Sequence, residues 1–245
     1  MALWIGTAVA LLLLAAIATI GLTGSRIAQP RAALLALGRA VLQLGALSLV
    51  LTGILKDPLW VGVGLAVMFV AAVGTAARRS RSPRLPLAAS MLLGPLIAMT
   101  IVFLTGAIEF SPRYVLAIGG IVIGNTMTIA ILTQRVFRTS VLDHWDEVEG
   151  WLALGATPRQ STLDLGRRAI HTALLPSIDQ TRTTGIVVLP GAFVGAIFAG
   201  ASPLEAGRFQ VVVLACILAA GVLTSVTLTR LGSSVAERPL DETIS

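Results

Sequence analysis

Residues 209–229 read FQVVVLACILAAGVLTSVTLT, twenty-one positions without a single charge. An α-helix needs about 20 consecutive apolar residues to cross roughly 30 Å of hydrocarbon, and this run meets that length. Six more stretches have the same character: 3–23, 33–55, 59–77, 86–108, 114–133 and 184–200. Together they take up most of the 245 residues, of which 56% are hydrophobic and 12% charged, with a mean hydropathy of +0.89. Soluble domains carry about one quarter charged residues, so an ordinary soluble enzyme is excluded. Lipid offers no partner to a free backbone N–H or C=O, which leaves helices as the natural spanning element for apolar runs of this length. The expected fold is all-α: a polytopic membrane protein with seven transmembrane helices, forming a single transmembrane domain over 1–245.

The charges sort by side once these spans are drawn. Fifteen of the 18 basic residues, from Arg26 to Arg238, fall after the first, third and fifth spans, at helix ends on that side or in the C-terminal tail. The opposite loops hold only Lys56, Arg113 and Arg208, each near an acid, Asp57, Glu109 or Glu205. By the positive-inside rule the arginine-rich side is cytoplasmic, which puts the N-terminus outside and the C-terminus inside. Basic residues that punctuate apolar spans argue against nucleic acid as a partner. Ala16-Ile17-Ala18 resembles a signal-peptide cleavage site, but residues 1–6 carry no lysine or arginine, so the first stretch reads as a retained anchor. Cys216 is the only cysteine, which rules out a disulfide or a thiolate metal cluster within one chain.

The long hydrophilic stretch is 134–183, expected on the cytoplasmic face. Val141, Trp145, Val148 and Leu152 recur on one helical face, with Asp143, Asp146, Glu147 and Glu149 mostly opposite. Gly155 ends that helix, because glycine tolerates the left-handed conformation past a C-terminus. Thr157 is placed as the next N-cap, with Pro158 at the first helical position and Gln160 completing a capping box. The second helix is expected to run to about Leu175, where Pro176 limits it. This helix-turn-helix has two readings: a hairpin lying at the lipid boundary, or a docking element for a cytoplasmic partner. Glu149 followed by Gly155 six residues later resembles the EAA loop by which membrane subunits of ABC transporters engage their ATPase.

ATP hydrolysis has no place in this chain. A P-loop needs a lysine followed by Ser or Thr, and the only lysine, Lys56, precedes Asp57. Secondary transport would use ionisable groups within the spans, yet all 12 acids fall outside them. A membrane assembly protein without transport stays open as a third class. Within the spans, Arg39 and Gln43 share a helix face, as the first candidates for a translocation path. Asn125, Thr126 and Met127 add an amide, a hydroxyl and a thioether, and Pro190-Gly191 is expected to kink the sixth span. The GxxxG pairs Gly120/Gly124 and Gly191/Gly195 are candidates for close helix approach. His144 and His171 form no ligand pair, so no resident metal is expected.

A longer ordered set of motifs adds to this reading. Gly120-Ile121-Val122-Ile123-Gly124-Asn125-Thr126-Met127, Leu152-Ala153-Leu154-Gly155-Ala156-Thr157-Pro158, Leu174-Leu175-Pro176-Ser177-Ile178-Asp179, Leu189-Pro190-Gly191 and Ala199-Gly200-Ala201-Ser202-Pro203-Leu204-Glu205-Ala206 resemble the FetB-type family of ABC-transporter permeases over nearly the whole chain. The resemblance implies a permease for export of iron, another metal ion or a small solute. It implies a separate cytoplasmic ATPase subunit carrying Mg-ATP, with no cofactor in this chain, and a place in the plasma membrane. A pore between paired ATPases implies a homodimer about a two-fold axis. Glu149, Gly155, Ala156, Thr157 and Pro158 are then the coupling residues. Relatives commonly carry Met-Met, Thr and Gln after the Leu-Pro-Gly, where this chain has Ala192, Phe193, Val194 and Ala196, and Asn where it has Thr128. These departures remove sulfur, hydroxyl and amide groups from that stretch.

Overall fold

The structure, a computed structural model, describes residues 2–25, 32–54, 57–232, 235, 237 and 238, and it divides into two compact units, Met1–Pro58 and Leu59–Ser245. Arg26, Arg31 and Lys56, on which the charge asymmetry partly rests, lie outside the described residues.

The first unit is a pair of packed helices, α1 (Ala2–Gly24) and α2 (Ala32–Ile54). Helix α1 is apolar all round: Ala15 is buried while Ile5, Leu12, Ile17 and Ile20 stand exposed on several faces. A helix hydrophobic on every side suits a lipid environment. Thr19 and Thr23 are satisfied within the helix, donating to the carbonyls of Ala15 and Thr19 at 2.7 and 2.8 Å.

The second unit comprises α3 (Pro58–Ser80), α4 (Arg84–Leu104), α5 (Pro112–Asp143), α6 (Trp145–Ala153), α7 (Pro158–Ser161), α8 (Leu163–Thr183), α9 (Gly191–Phe198) and α10 (Pro203–Gly232). Helix α10 is the hub, packing against α4, α5, α8 and α9. It opens with a capping box, in which the Ser202 N–H donates to Glu205 Oε2 at 3.0 Å and the Glu205 N–H donates back to Ser202 Oγ at 3.3 Å. Two apolar clusters fill the bundle. Val73, Ala76, Leu87, Met91, Ile123, Ala130 and Leu228 join α3, α4, α5 and α10. Val102, Ile118, Val122, Val213 and Ile217 join α4, α5 and α10. Close helix approach within the chain occurs at Gly94, Gly166 and Gly221, where an added methyl would strike atoms of α10 or α5; of the GxxxG glycines, Gly120 faces Met68 Cε at 3.1 Å, and Gly124, Gly191 and Gly195 have nothing of this chain within 4 Å.

Among the described residues five helices are long and apolar enough to cross a membrane: Ile5–Gly24, Pro58–Ser80, Arg84–Leu104, Pro112–Asp143 and Pro203–Gly232. The second expected span is helical as α2, with a shorter apolar segment, Ala33–Ser48. The sixth, 184–200, departs from expectation. Thr184 leaves the helical conformation, Gly185 turns with φ +86°, and Pro190 is the N-cap of α9 instead of a kink inside a helix. Eight residues of α9 reach only about 12 Å, far short of the bilayer.

Two boundaries also move. Helix α5 runs ten residues past Thr133, and the chain breaks at His144, so Val141 belongs to α5 while Trp145, Val148 and Leu152 lie on α6. Helix α8 does not stop at Leu175 but passes through Pro176 to Thr183. Proline there removes one backbone donor, yet it sits on the exposed side while Ala173, Leu174 and Ser177 are buried against neighbours, which holds both halves in line.

Candidate functional site

The turn between α6 and α7 is built as two interlocking caps. Past the end of α6, the Gly155 N–H donates to the Leu152 carbonyl and the Ala156 N–H to the Trp151 carbonyl, both at 3.0 Å, with Gly155 at φ +89°. That is a Schellman closure, which satisfies carbonyls the helix would leave open. One residue later the Thr157 N–H donates to Gln160 Oε1 at 2.8 Å and the Gln160 N–H donates to Thr157 Oγ1 at 3.3 Å, with Pro158 first in α7. Glu149 is exposed on α6. Gly155, Ala156, Thr157 and Pro158 therefore lie on one capped turn, with Gly155 and Thr157 exposed, while Glu149 lies on the helix that leads into it.

Packing links this turn to the bundle. Val148 of α6 is fully buried with Phe137 and Val141 of α5 and Leu165 and Ala169 of α8. Arg159 of α7 donates from Nη2 to the Arg230 carbonyl at the end of α10, 3.1 Å away. The turn is therefore joined to three long helices, α5, α8 and α10. Beside it lies an open cleft of about 480 Å³ lined by Trp151, Leu154, Gly155, Ala156, Gln160 and Leu163. Leu154 is 83% exposed and Trp151 52%, apolar surface of the kind a partner covers. Sequence reasoning did not single out Trp151, Leu154 or Arg159. Trp151 lies off the periodic face of α6, a signal that it serves something other than the core.

Helix α8 lies antiparallel to both α5 and α10. A methyl on Gly166 would come 2.7 Å from Thr229 Cγ2, and one on Gly221 would come 3.3 Å from Leu174 Cδ2. Leu165 and Ala169 join Phe137 and Val141, and further along Ala173 and Leu174 join Ile129. The second helix of the expected hairpin thus packs along two helices of membrane-crossing length, instead of lying apart from them.

The expected pathway residues separate. On α5 the half-buried Asn125 donates from Nδ2 to the Ile121 carbonyl at 2.9 Å. Thr126 is buried and donates to the Val122 carbonyl at 2.6 Å. Met127 packs against the core cluster containing Met91 and Ala130. Consecutive helical residues diverge by about 100°, so these three do not converge on one point. Arg39 and Gln43 are exposed on α2 in the first unit. Pro190 is half-buried and Gly191 exposed, both at the start of α9. Among the described residues no group of three or more His, Cys, Asp or Glu side chains is placed to hold a metal ion.

Comparison with known proteins assigns the chain. It is 38% identical over 203 residues to "UPF0014 membrane protein STAR2" of Oryza sativa subsp. japonica, covering 81% of this chain and 71% of that one. It is 39% identical over 198 residues to "Protein ALUMINUM SENSITIVE 3" of Arabidopsis thaliana, covering 79% and 72%. It is 32% identical over 206 residues to "Probable iron export permease protein FetB" of Escherichia coli (strain K12), covering 82% and 80%. No solved structure matches the chain. The model of the uncharacterised protein family UPF0014 matches residues 4–235, and the chain is a multi-pass helical membrane protein belonging to that family.

Proposed function

We propose that this chain is the permease subunit of an ABC-type exporter, acting as a homodimer with two copies of a separate ATPase. The carrying observation is the capped turn at Gly155–Pro158, exposed at its tip and packed through Val148 and Arg159 onto α5, α8 and α10. Such a turn can receive force from a cytoplasmic motor and pass it to the bundle. The excess of arginine on this side supports a cytoplasmic location, with the N-terminus outside, the C-terminus inside and seven crossings of the plasma membrane. The name of the FetB relative supports iron as cargo; another metal ion or a small solute fits equally. The scattered positions of Asn125, Thr126 and Met127 favour a low-affinity passage over a tight metal site.

Asp179 and His171 on α8 favour a second reading, secondary transport, because they supply ionisable groups alongside the bundle. Reconstitution decides between them. Solute movement in vesicles should require the co-purified ATPase and hydrolysable ATP. Movement driven by a proton gradient without any ATPase would replace this reading with the second.

A further inference from the structure

Helix α8 has two unlike sides. One side, Leu165, Gly166, Ala169, Ala173, Leu174 and Ser177, is buried against α5 and α10. The other exposes His171, Leu175, Asp179 and Arg182, spaced four, four and three residues apart, one stripe of a helix. Asp179 and Arg182 pair at 3.7 Å, and at the start of the helix Asp164, in its first turn, pairs with Arg167 at 3.0 Å.

The register against α10 sets the depth of this stripe. Gly221, which faces Leu174, lies nine residues from Arg230, about 14 Å along the axis and close to half the hydrocarbon thickness. Asp179 lies five residues further in the same direction, about 7.5 Å. The whole of α8, 21 residues, is about 31 Å long, the thickness of the hydrocarbon core. Its direction also fits. Helices α5 and α10 run the same way beside it, so the chain must return once between them, and 184–200 holds no helix long enough to do so.

We propose that α8 is itself the sixth membrane crossing and that its stripe of His171, Leu175, Asp179 and Arg182 faces a water-filled path, so that it contacts a hydrated solute. The contact with a solute rests on the permease reading, while the crossing and the water beside it rest on the register of α8 against α5 and α10. Lipid is a poor neighbour for the stripe, because carboxylate and guanidinium groups within a bilayer are found facing the bundle interior or a water-filled cavity. Water solvates the outer sides of both groups while the ion pair stays closed. The crossing escapes hydropathy because its other side carries charged and polar groups, while much of its packed side is Gly, Ala and Ser.

The test uses single cysteines in the full-length protein with Cys216→Ser, in native membranes with its partners. Asp143→Cys and Ile186→Cys, one before and one after α8 and both exposed, should label with an impermeant thiol reagent from opposite sides; labelling from the same side would overturn the crossing. In opened membranes, His171→Cys, Leu175→Cys and Asp179→Cys should react with a charged methanethiosulfonate at least an order of magnitude faster than the packed Ala173→Cys and Ser177→Cys. The reagent consumes thiolate, which forms in water and is suppressed in apolar surroundings. Leu175→Cys removes no charge, so it keeps the test valid where Asp179→Cys fails to fold. Reaction of the stripe only with a lipid-soluble maleimide would overturn the aqueous path. None of these readouts requires transport. A chain that labels as expected but shows no ATP-driven transport would refute the permease reading and leave the path standing.

Discussion

Thr224 on α10 donates from Oγ1 to the main-chain carbonyl of Ser90 on α4, 3.1 Å away, with both residues fully buried. The contact exists because Gly94, one turn past Ser90, has no side chain. A methyl there would fall onto the Ala220 carbonyl and lie 2.7 Å from Thr224 Oγ1. The Ser90 hydroxyl is already engaged with the Pro86 carbonyl at 2.8 Å. Without a hydrophobic driving force between helices in lipid, close backbone approach and interhelical hydrogen bonds hold such a seam.

Gly94→Leu should therefore force α4 from α10 and lower stability by about 1–3 kcal/mol, the usual range for overpacking a filled core. Thr224→Val keeps the shape and loses only the hydrogen bond, so about 0.6 kcal/mol is expected, the mean of such bonds in a membrane protein. Thermal unfolding in mild detergent measures both. A Gly94→Leu protein as stable as the parent would show that the seam is not where the structure puts it.

Gly155→Val should leave membrane insertion intact and weaken capture of the ATPase subunit. No atom lies within 4 Å of the added group, so the effect comes from the backbone, where a β-branched residue at φ +89° costs roughly 1–3 kcal/mol. Thr157→Ala removes the next cap at about 1 kcal/mol and should have a smaller effect in the same direction. Undiminished pull-down of the ATPase by Gly155→Val would remove the turn from the docking surface.

Sidedness follows from the arginine distribution. In a Cys216→Ala background, cysteine at Ser202, between α9 and α10, should label with an impermeant reagent outside the cell, and cysteine at Ser82, between α3 and α4, should not. The reverse pattern would invert the topology.

Asn125→Leu tests whether α5 borders the solute path. Transport should fall while ATPase binding persists. Thr126→Val should change transport little, since that hydroxyl is buried and spent on its own helix. Equal loss in both variants would point to damaged packing instead of a lost contact.

No metal should remain stoichiometrically bound to the purified protein after chelation, because no group of three His, Cys, Asp or Glu side chains is assembled among the described residues. Elemental analysis that finds one metal per chain under those conditions would refute the weak-passage model.

What the sequence determined by itself is local or additive. Hydropathy summed over 20 residues marked α1, α3, α4, α5 and α10, because the transfer of each apolar side chain into lipid depends little on its neighbours. The caps at Gly155, Thr157 and Pro158 were equally legible, since their bonds close within a few residues. The fates of 163–183 and 184–200 were not. Leu189 and Phe198 look like membrane residues, yet the chain turns at Gly185 after α8 and starts α9 only at Pro190, leaving α9 eight residues. Helix α8 looks hydrophilic on average, yet its side of Leu165, Ala169, Ala173 and Leu174 fits against Phe137, Ile129 and Gly221. Only the tertiary structure could decide that placement, because it depends on the shape of surfaces that α5 and α10 provide from distant parts of the chain.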